Sequence, residues 1–286
     1  MQTTIDEKLS QDILRGIVIP PCPQIVADIQ IESAMPDVDI NVIAGLINRD
    51  AGIAGSVLKA VNSPFFGLSG KVKSVPHAVS LLGLSSVINI VTALSLKKVL
   101  SDENVTAMNR FWDTATDVAN TATIVSKYLK MGASDEAYSI GLFHDCGIPL
   151  MMLKFSDYMK VIEEACASAD QRIIDIENAH YKTDHTVLGF YTAKAWQISE
   201  HICEVISIHH CSNNVFETNR GVKTPKKDLL AVLKIAEHVS AAYRTLGGCH
   251  VDHEWEQIKE NVLDYTGLSD EDIMNLIDEC KEHGIC

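Results

Sequence analysis

The chain has 286 residues, and its 24 Lys and Arg against 38 Asp and Glu give a formal net charge of −14. This acidic balance argues against nucleic-acid and anionic-membrane partners, because both need clustered basic side chains. No apolar run approaches the roughly 20 residues needed to span a bilayer, and the polar opening MQTTIDEKLS is unlike a signal peptide. The eight cysteines form no CxxC pair, so we expect reduced thiols and a cytoplasmic location.

Apolar residues recur every three or four positions through most of the chain, which is the period of an amphipathic α-helix. Alternation typical of β-strands is scarce. Four helical stripes stand out, from Leu9 to Ile17, from Ile40 to Ile47, from Val87 to Val99 and from Ile198 to His209. We therefore predict an all-α fold.

Three places in the chain have residues that favour the start of a helix. Asp39 is a candidate N-cap. Pro76 suits the first turn of a helix that begins near Ser74. Close to the C-terminus, Ser269 and Asp272 have the spacing of a capping box.

A helix stop is predicted where Asn62-Ser63-Pro64 follows an apolar stripe. We expect the polar side chains of Asn62 and Ser63 to bond to backbone groups left free at this helix end. Together with Phe66, they are predicted to have a structural role.

Composition changes along the chain. Only His77 of the eleven histidines lies in the first half, and residues 1–100 contain no Trp or Tyr. We therefore predict two helical lobes, residues 1–100 and residues 107–286. The last part of the second lobe, residues 251–286, is rich in acidic residues and is predicted to form acidic C-terminal helices.

Histidines and carboxylates of the second lobe are candidate metal ligands. Such sets bind Zn, Fe or Mn rather than Ca. The candidates are the pair His144-Asp145, His185, the pair His209-His210, and Glu237. A buried neutral histidine can instead be hydrogen-bonded without a metal, and the sequence leaves both interpretations open.

Several segments are similar to the HDOD proteins, the bacterial "HD-related output domain" family. They are IPPCPQIVADI, then LKAVNSPFFGLSGKVKSVPHAVSLLGLSSVINIV with Asn62, Ser63, Phe66 and Gly83 in place, then AYSIGLFHDCGIPLMM, DHTVLGFYTAKAWQIS and EVISIHH. The resemblance covers about residues 12–245. It implies an all-α fold whose C-terminal lobe is HD-domain-like, and a regulatory role in bacterial signalling.

The resemblance also implies a partly preserved metal centre. HD-type phosphohydrolases carry a His where this chain has Thr114, and active members often carry Lys where it has Ile148. The residues that match ligands are Asp145, His185, His209 and His210 for one metal, with His144 and Glu237 as additional candidates. The implied occupant is one Fe or Zn ion, and an empty cluster with hydrogen-bonded imidazoles is the alternative.

Two functions follow from this resemblance. The first is a non-catalytic or degenerate HD-type signalling module that acts through contacts with other signalling proteins. The alternative is a metal-dependent phosphohydrolase that acts on a nucleotide or another phosphoester. Neither nucleic acid nor a membrane is an expected partner, and the sequence leaves the oligomeric state open.

Overall fold

The computed structural model describes residues 16–68, 70–101, 106–130, 134–218 and 221–285. Within these ranges all regular secondary structure is helical, and no strand occurs, which confirms the predicted all-α fold. No helix in the same ranges has both the length and the apolar character needed to cross a membrane. Most of the stripe from Leu9 to Ile17 lies outside the described residues.

The first part of the chain forms five α-helices and one short 3-10 helix among the described residues. They are α1 (Gln24–Ser33), α2 (Ile40–Asn48), α3 (Ala51–Val61), the 3-10 turn Pro64–Phe66, α4 (Val75–Leu82) and α5 (Leu84–Leu100).

Among the described residues, the second part forms twelve α-helices, of which α6 is the longest, and a second 3-10 turn. The helices are α6 (Thr106–Tyr128), α7 (Ser134–Phe143), α8 (Gly147–Lys154), α9 (Tyr158–Ala167), α10 (Ile173–Tyr181), α11 (His185–Ala195), α12 (Glu200–Ile208), α13 (Ser212–Glu217), α14 (Pro225–Val239), α15 (Ala242–Thr245), α16 (His253–Thr266) and α17 (Asp270–Glu282). The 3-10 turn His209–Cys211 continues α12.

The predicted helix starts are confirmed. The Asp39 carboxylate accepts from the backbone N–H of Asn41 at the start of α2. Ser74 caps α4, whose first turn contains a proline. Ser269 and Asp272 form the expected capping box at the start of α17. Each cap satisfies N–H groups that have no partner inside the helix.

The helix stop after α3 is confirmed. The prediction that polar side chains bond to the free backbone groups there is confirmed for Asn62 and wrong for Ser63. The Asn62 amide donates to the carbonyls of Leu58 at 2.8 Å and Val72 at 2.7 Å. Its side-chain oxygen accepts from the N–H of Val72 at 2.7 Å, so this one side chain ties the end of α3 to the loop that follows. The buried Ser63 hydroxyl has no hydrogen-bond partner among the described residues.

Two further residues of the N-terminal signature shape the turns around α4. Phe66 is buried and its ring contacts that of Tyr138, with centroids 5.8 Å apart. Gly83 joins α4 to α5 with φ of +88°, a conformation that residues with a β-carbon rarely adopt.

The two parts of the chain pack on each other through α5 and α7, while α14 lies against both α6 and α7. One continuous set of buried apolar side chains runs through both. Trp196 adds polar links, since its indole N–H donates to the Pro20 carbonyl at 2.9 Å and its own carbonyl accepts from Gln30 at 2.7 Å. The division into lobes 1–100 and 107–286 stays a prediction.

Candidate metal centre

Four predicted ligands meet in the second half of the fold. One potential ligand atom from each of Asp145, His185, His209 and His210 lies within 4.8 Å of every other. No second group of three or more His, Cys, Asp or Glu side chains meets this criterion among the residues that the structure describes. We call these four residues the four-ligand cluster.

Short-range features of the chain position the cluster. Asp145 lies in the turn between α7 and α8, and the two adjacent histidines lie in the 3-10 turn after α12. His185 is the first residue of α11, because Asp184 caps this helix by accepting from the N–H of Val187 at 3.0 Å. Gly147, the first residue of α8, lies directly against the His185 carbonyl, where a β-carbon would overlap it. The glycine therefore lets the Asp145 turn approach α11 closely.

The three imidazoles of the cluster and that of His144 each have their Nδ1 atom next to an oxygen that can only accept a hydrogen bond. Each Nδ1 therefore carries the hydrogen, and each Nε2 of a neutral ring carries a lone pair. The acceptors are the Gly141 carbonyl for His144 at 2.9 Å, Glu177 Oε2 for His185 at 2.7 Å, the Ile206 carbonyl for His209 at 2.8 Å and Glu254 Oε2 for His210 at 2.8 Å.

The Nε2 lone pairs face other acceptors. Asp145 Oδ1 lies 3.3 Å from His185 Nε2 and 3.2 Å from His209 Nε2. The Nε2 atoms of His185 and His210 are 3.1 Å apart. Lone pairs at these distances repel unless a proton or a cation lies between them. Three imidazoles and a carboxylate are a suitable set for a four-coordinate transition metal, so the residues fit the ion that the family resemblance implies.

The electrostatics agree with a site built to hold positive charge. Burial alone raises the pKa of Asp145, but the charge of the adjacent His144 and the hydrogen bonds from His144 and His185 outweigh it and hold this pKa well below its usual range. Burial lowers the pKa of His209 to about 3, which keeps the ring neutral. A neutral imidazole and an ionised carboxylate are the forms that bind metals.

Two residues that the sequence did not single out hold His185 in place. Glu177 on α10 is fully buried and accepts from both the ring and the backbone N–H of His185, at 2.7 and 3.1 Å. Its other oxygen accepts from the hydroxyl of Tyr158, which is also buried. A carboxylate behind a histidine fixes the ring orientation and increases its basicity as a ligand. Glu177 precedes His185 by eight positions without any recognisable motif.

The remaining two candidates, His144 and Glu237, lie beside the cluster rather than in it. His144 Nε2 is 3.1 Å from Asp145 Oδ2 and 3.4 Å from Glu237 Oε1. The other oxygen of Glu237 forms an ion pair with Lys234 Nζ at 2.9 Å. Asp145 therefore faces the cluster with one oxygen and His144 with the other.

The two positions that depart from the family pattern have structural contacts of their own. The Thr114 hydroxyl donates to the Arg110 carbonyl at 2.9 Å and lies 3.0 Å from the hydroxyl of Thr245. Ile148 is buried and lines the wall of a cavity next to the cluster. Neither residue supplies a strong metal donor.

This cavity has a volume of about 150 Å³ and reaches His144, Asp145 and His210. Its walls are mainly apolar. The side chains around it include Ile148, Ile162, Trp255, Lys234, Glu237 and Glu254. A small molecule could therefore reach the open side of the cluster.

Comparison with known proteins identifies the same fold. A protein of Treponema pallidum (strain Nichols), described only as uncharacterized, is 24% identical over 195 residues, which are 67% of this chain and 37% of that protein. A crystal structure of an HDOD domain protein of unknown function from Geobacter sulfurreducens has a TM-score of 0.66 and 22% identity, covering 96% of this chain and 93% of that one. A protein of Shewanella amazonensis SB2B, provisionally named a metal-dependent phosphohydrolase, has a TM-score of 0.68 and 17% identity, covering 97% and 96%.

A family model settles the classification. The model of the HDOD domain matches residues 19–212. This range contains the N-terminal signature around Asn62 and all members of the four-ligand cluster. The chain belongs to the HDOD family.

Proposed function

We propose that this chain is a signalling module of the HDOD family that binds one iron or zinc ion and acts through contacts with other proteins. The observation that supports the metal is that one potential ligand atom from each of Asp145, His185, His209 and His210 lies within 4.8 Å of every other. The set is rich in nitrogen, which favours iron or zinc over magnesium. The contact role is supported by large apolar side chains that are exposed in the first part of the chain, among them Ile31 on α1, Met35 in the bend after α1, and Leu81 on α4.

In this proposal phosphoester hydrolysis is very slow or absent. Two-metal phosphohydrolases clamp both the attacking and the leaving oxygen. Here the side of Asp145 that faces His144 has only Glu237 as a further candidate ligand among the described residues, because the Thr114 hydroxyl is engaged elsewhere. The cations that line the cavity, Lys234 and Arg172, are both paired with carboxylates. A phosphate in the cavity would therefore meet only lysine and arginine side chains that carboxylates already neutralise.

A metal-dependent phosphohydrolase is the second candidate, and the cavity beside the cluster is the observation that favours it. Assays of the metal-loaded protein with a cyclic dinucleotide, a nucleoside monophosphate and p-nitrophenyl phosphate separate the two functions. We expect the wild-type protein to be no faster than Asp145→Ala. Efficient hydrolysis by the wild-type protein that is lost in Asp145→Ala would show instead that the protein is a metal-dependent phosphohydrolase.

A further inference from the structure

A lysine ammonium is buried beside the four-ligand cluster. Lys234 Nζ lies 2.9 Å from Glu237 Oε2 and 2.8 Å from Glu254 Oε1, and its side chain is only 2% exposed. An unpaired charge at this depth would be strongly destabilising. The two carboxylates from α14 and α16 therefore keep the ammonium in place.

The same two carboxylates connect this ammonium to the imidazoles of the centre. The second oxygen of Glu237 faces His144 Nε2 at 3.4 Å. The second oxygen of Glu254 accepts from His210 Nδ1 at 2.8 Å. Through Glu237, Lys234 is thus linked to His144, which lies beside the four-ligand cluster. Through Glu254, it is linked to His210, which is a member of the cluster.

We propose that the Lys234 ammonium takes the place of a second metal ion, so that the centre holds one metal and one fixed organic cation. This inference rests on the proposed function, since it presumes a metal in the four-ligand cluster. It assigns to Lys234 a positioning and charge-balancing role. In this proposal the fixed cation of the centre is Lys234, and not a lysine at the position that Ile148 occupies in this chain.

Charge is the physical reason. Glu237 is the carboxylate that a second ion beside His144 would need, and the ammonium already neutralises it. A divalent ion between His144 and Glu237 would stand close to this ammonium in a buried region, where like charges repel strongly. Lys234 and Glu237 are three residues apart on one helix, so their side chains share a face and stay together.

Metal stoichiometry tests this inference. The proteins are wild type, Lys234→Met, Lys234→Arg and the matched control Lys227→Met, each given excess Mn²⁺ and then freed of unbound metal. Lys227 is also buried on α14, but its ammonium donates to the Thr218 carbonyl instead. We expect a second bound ion only in Lys234→Met, and we expect Lys234→Met/Glu237→Gln to return to a single ion.

Electron paramagnetic resonance gives a second readout that does not depend on activity. A lone Mn²⁺ ion gives an isolated-ion hyperfine spectrum, whereas two neighbouring ions give an exchange-coupled one. We expect the coupled spectrum in Lys234→Met only. A second ion in the wild-type protein, or a folded Lys234→Met that binds no more metal than wild type, would overturn the inference.

Folding of the variant is itself informative. If Lys234→Met is unfolded without metal, the inference predicts that excess Mn²⁺ restores cooperative melting, because the ion replaces the lost cation between the carboxylates. A variant that stays unfolded in Mn²⁺ would contradict it. A wild-type protein that binds no metal at all would instead refute the proposed function.

Discussion

In each imidazole of the centre, one hydrogen bond at Nδ1 fixes the orientation of the ring. The ring of His209 donates to a backbone carbonyl of α12, the helix directly before it, whereas the ring of His185 depends on the side chain of Glu177 from another helix. Because Glu177 and Tyr158 are both fully buried, water cannot easily replace them. The geometry of His185 therefore depends on a buried side chain outside the cluster, which a single substitution can remove.

Replacing Glu177 by Gln should weaken metal binding by about 10- to 100-fold, because the amide no longer enforces the tautomer with its lone pair on Nε2. Competition with a chromophoric chelator measures the metal dissociation constant directly. Asp175→Asn is the matched control, since Asp175 lies on the same helix but forms an exposed ion pair with Arg172. Equal affinity in Glu177→Gln and wild type would show that Glu177 is dispensable.

Metal affinity should fall as the pH falls. Burial alone lowers the pKa of His185, but the carboxylates of Glu177 and Asp145 outweigh it and raise this pKa well above its ordinary value. At neutral pH the His185 ring of the metal-free site therefore carries a second proton, on Nε2, and an incoming metal must displace this proton. Below the raised pKa, each displaced proton weakens binding about tenfold per pH unit.

Calorimetry in two buffers of different ionisation enthalpy measures the protons released on binding. We expect a net release near neutral pH that shrinks as the pH rises through the raised pKa of His185. Binding that releases no proton and keeps the same affinity across this range would contradict the assigned protonation state.

The sequence singled out the residues that meet in the four-ligand cluster but not the residues that support them. Ligand types stand out because His and Asp are chemically distinctive and the family pattern places them. Glu177, Lys234 and Glu254 are ordinary helix residues by composition, and Glu254 belongs to a stretch interpreted only as acidic. Their partners come from other helices, so no spacing along the chain indicates the contact.

At the scale of helices, the approach of α8 to α11 is what brings Asp145 to His185. Gly147 permits it, since the His185 carbonyl and the Gly189 N–H occupy the space that a β-carbon would need. A glycine here serves close packing rather than an unusual backbone conformation, because its φ is not positive.

Replacing Gly147 by Ala should destabilise the fold by about 1–3 kcal/mol, as overpacking does, and should also weaken metal binding. Urea denaturation of the metal-free protein measures the first effect, and chelator competition the second. Gly55→Ala is the matched control, because Gly55 lies within α3 and has open space where an alanine β-carbon would stand; it should stabilise by roughly 0.4–1 kcal/mol. A Gly147→Ala protein as stable as wild type would show that the two helices can separate without cost.

Helix boundaries were predictable where a local rule decides them, as at Asp39, Ser74 and Ser269. Ser63 was predicted wrongly for the same reason that Asn62 was predicted correctly. Both are polar residues after an apolar stripe, but the longer amide side chain reaches two carbonyls and an N–H, and the Ser63 hydroxyl reaches none of the described acceptors.

For the whole molecule, helical periodicity predicts the class of fold but not the packing of its helices. The centre draws on α10, α11, α14 and α16 together with the turns after α7 and α12. Only the resemblance to a family could anticipate that these distant segments meet. The net charge of −14 likewise gave no sign that the cavity beside the centre contains a buried lysine.

Elemental analysis of protein purified without added metal or chelator tests the central claim most directly. We predict about one equivalent of iron or zinc in the wild-type protein, as a four-ligand site implies, and a large loss in His185→Ala. The matched control is His180→Ala, an exposed histidine on α10, which should keep its metal. A metal-free wild-type protein, or full metal content in His185→Ala, would contradict the account.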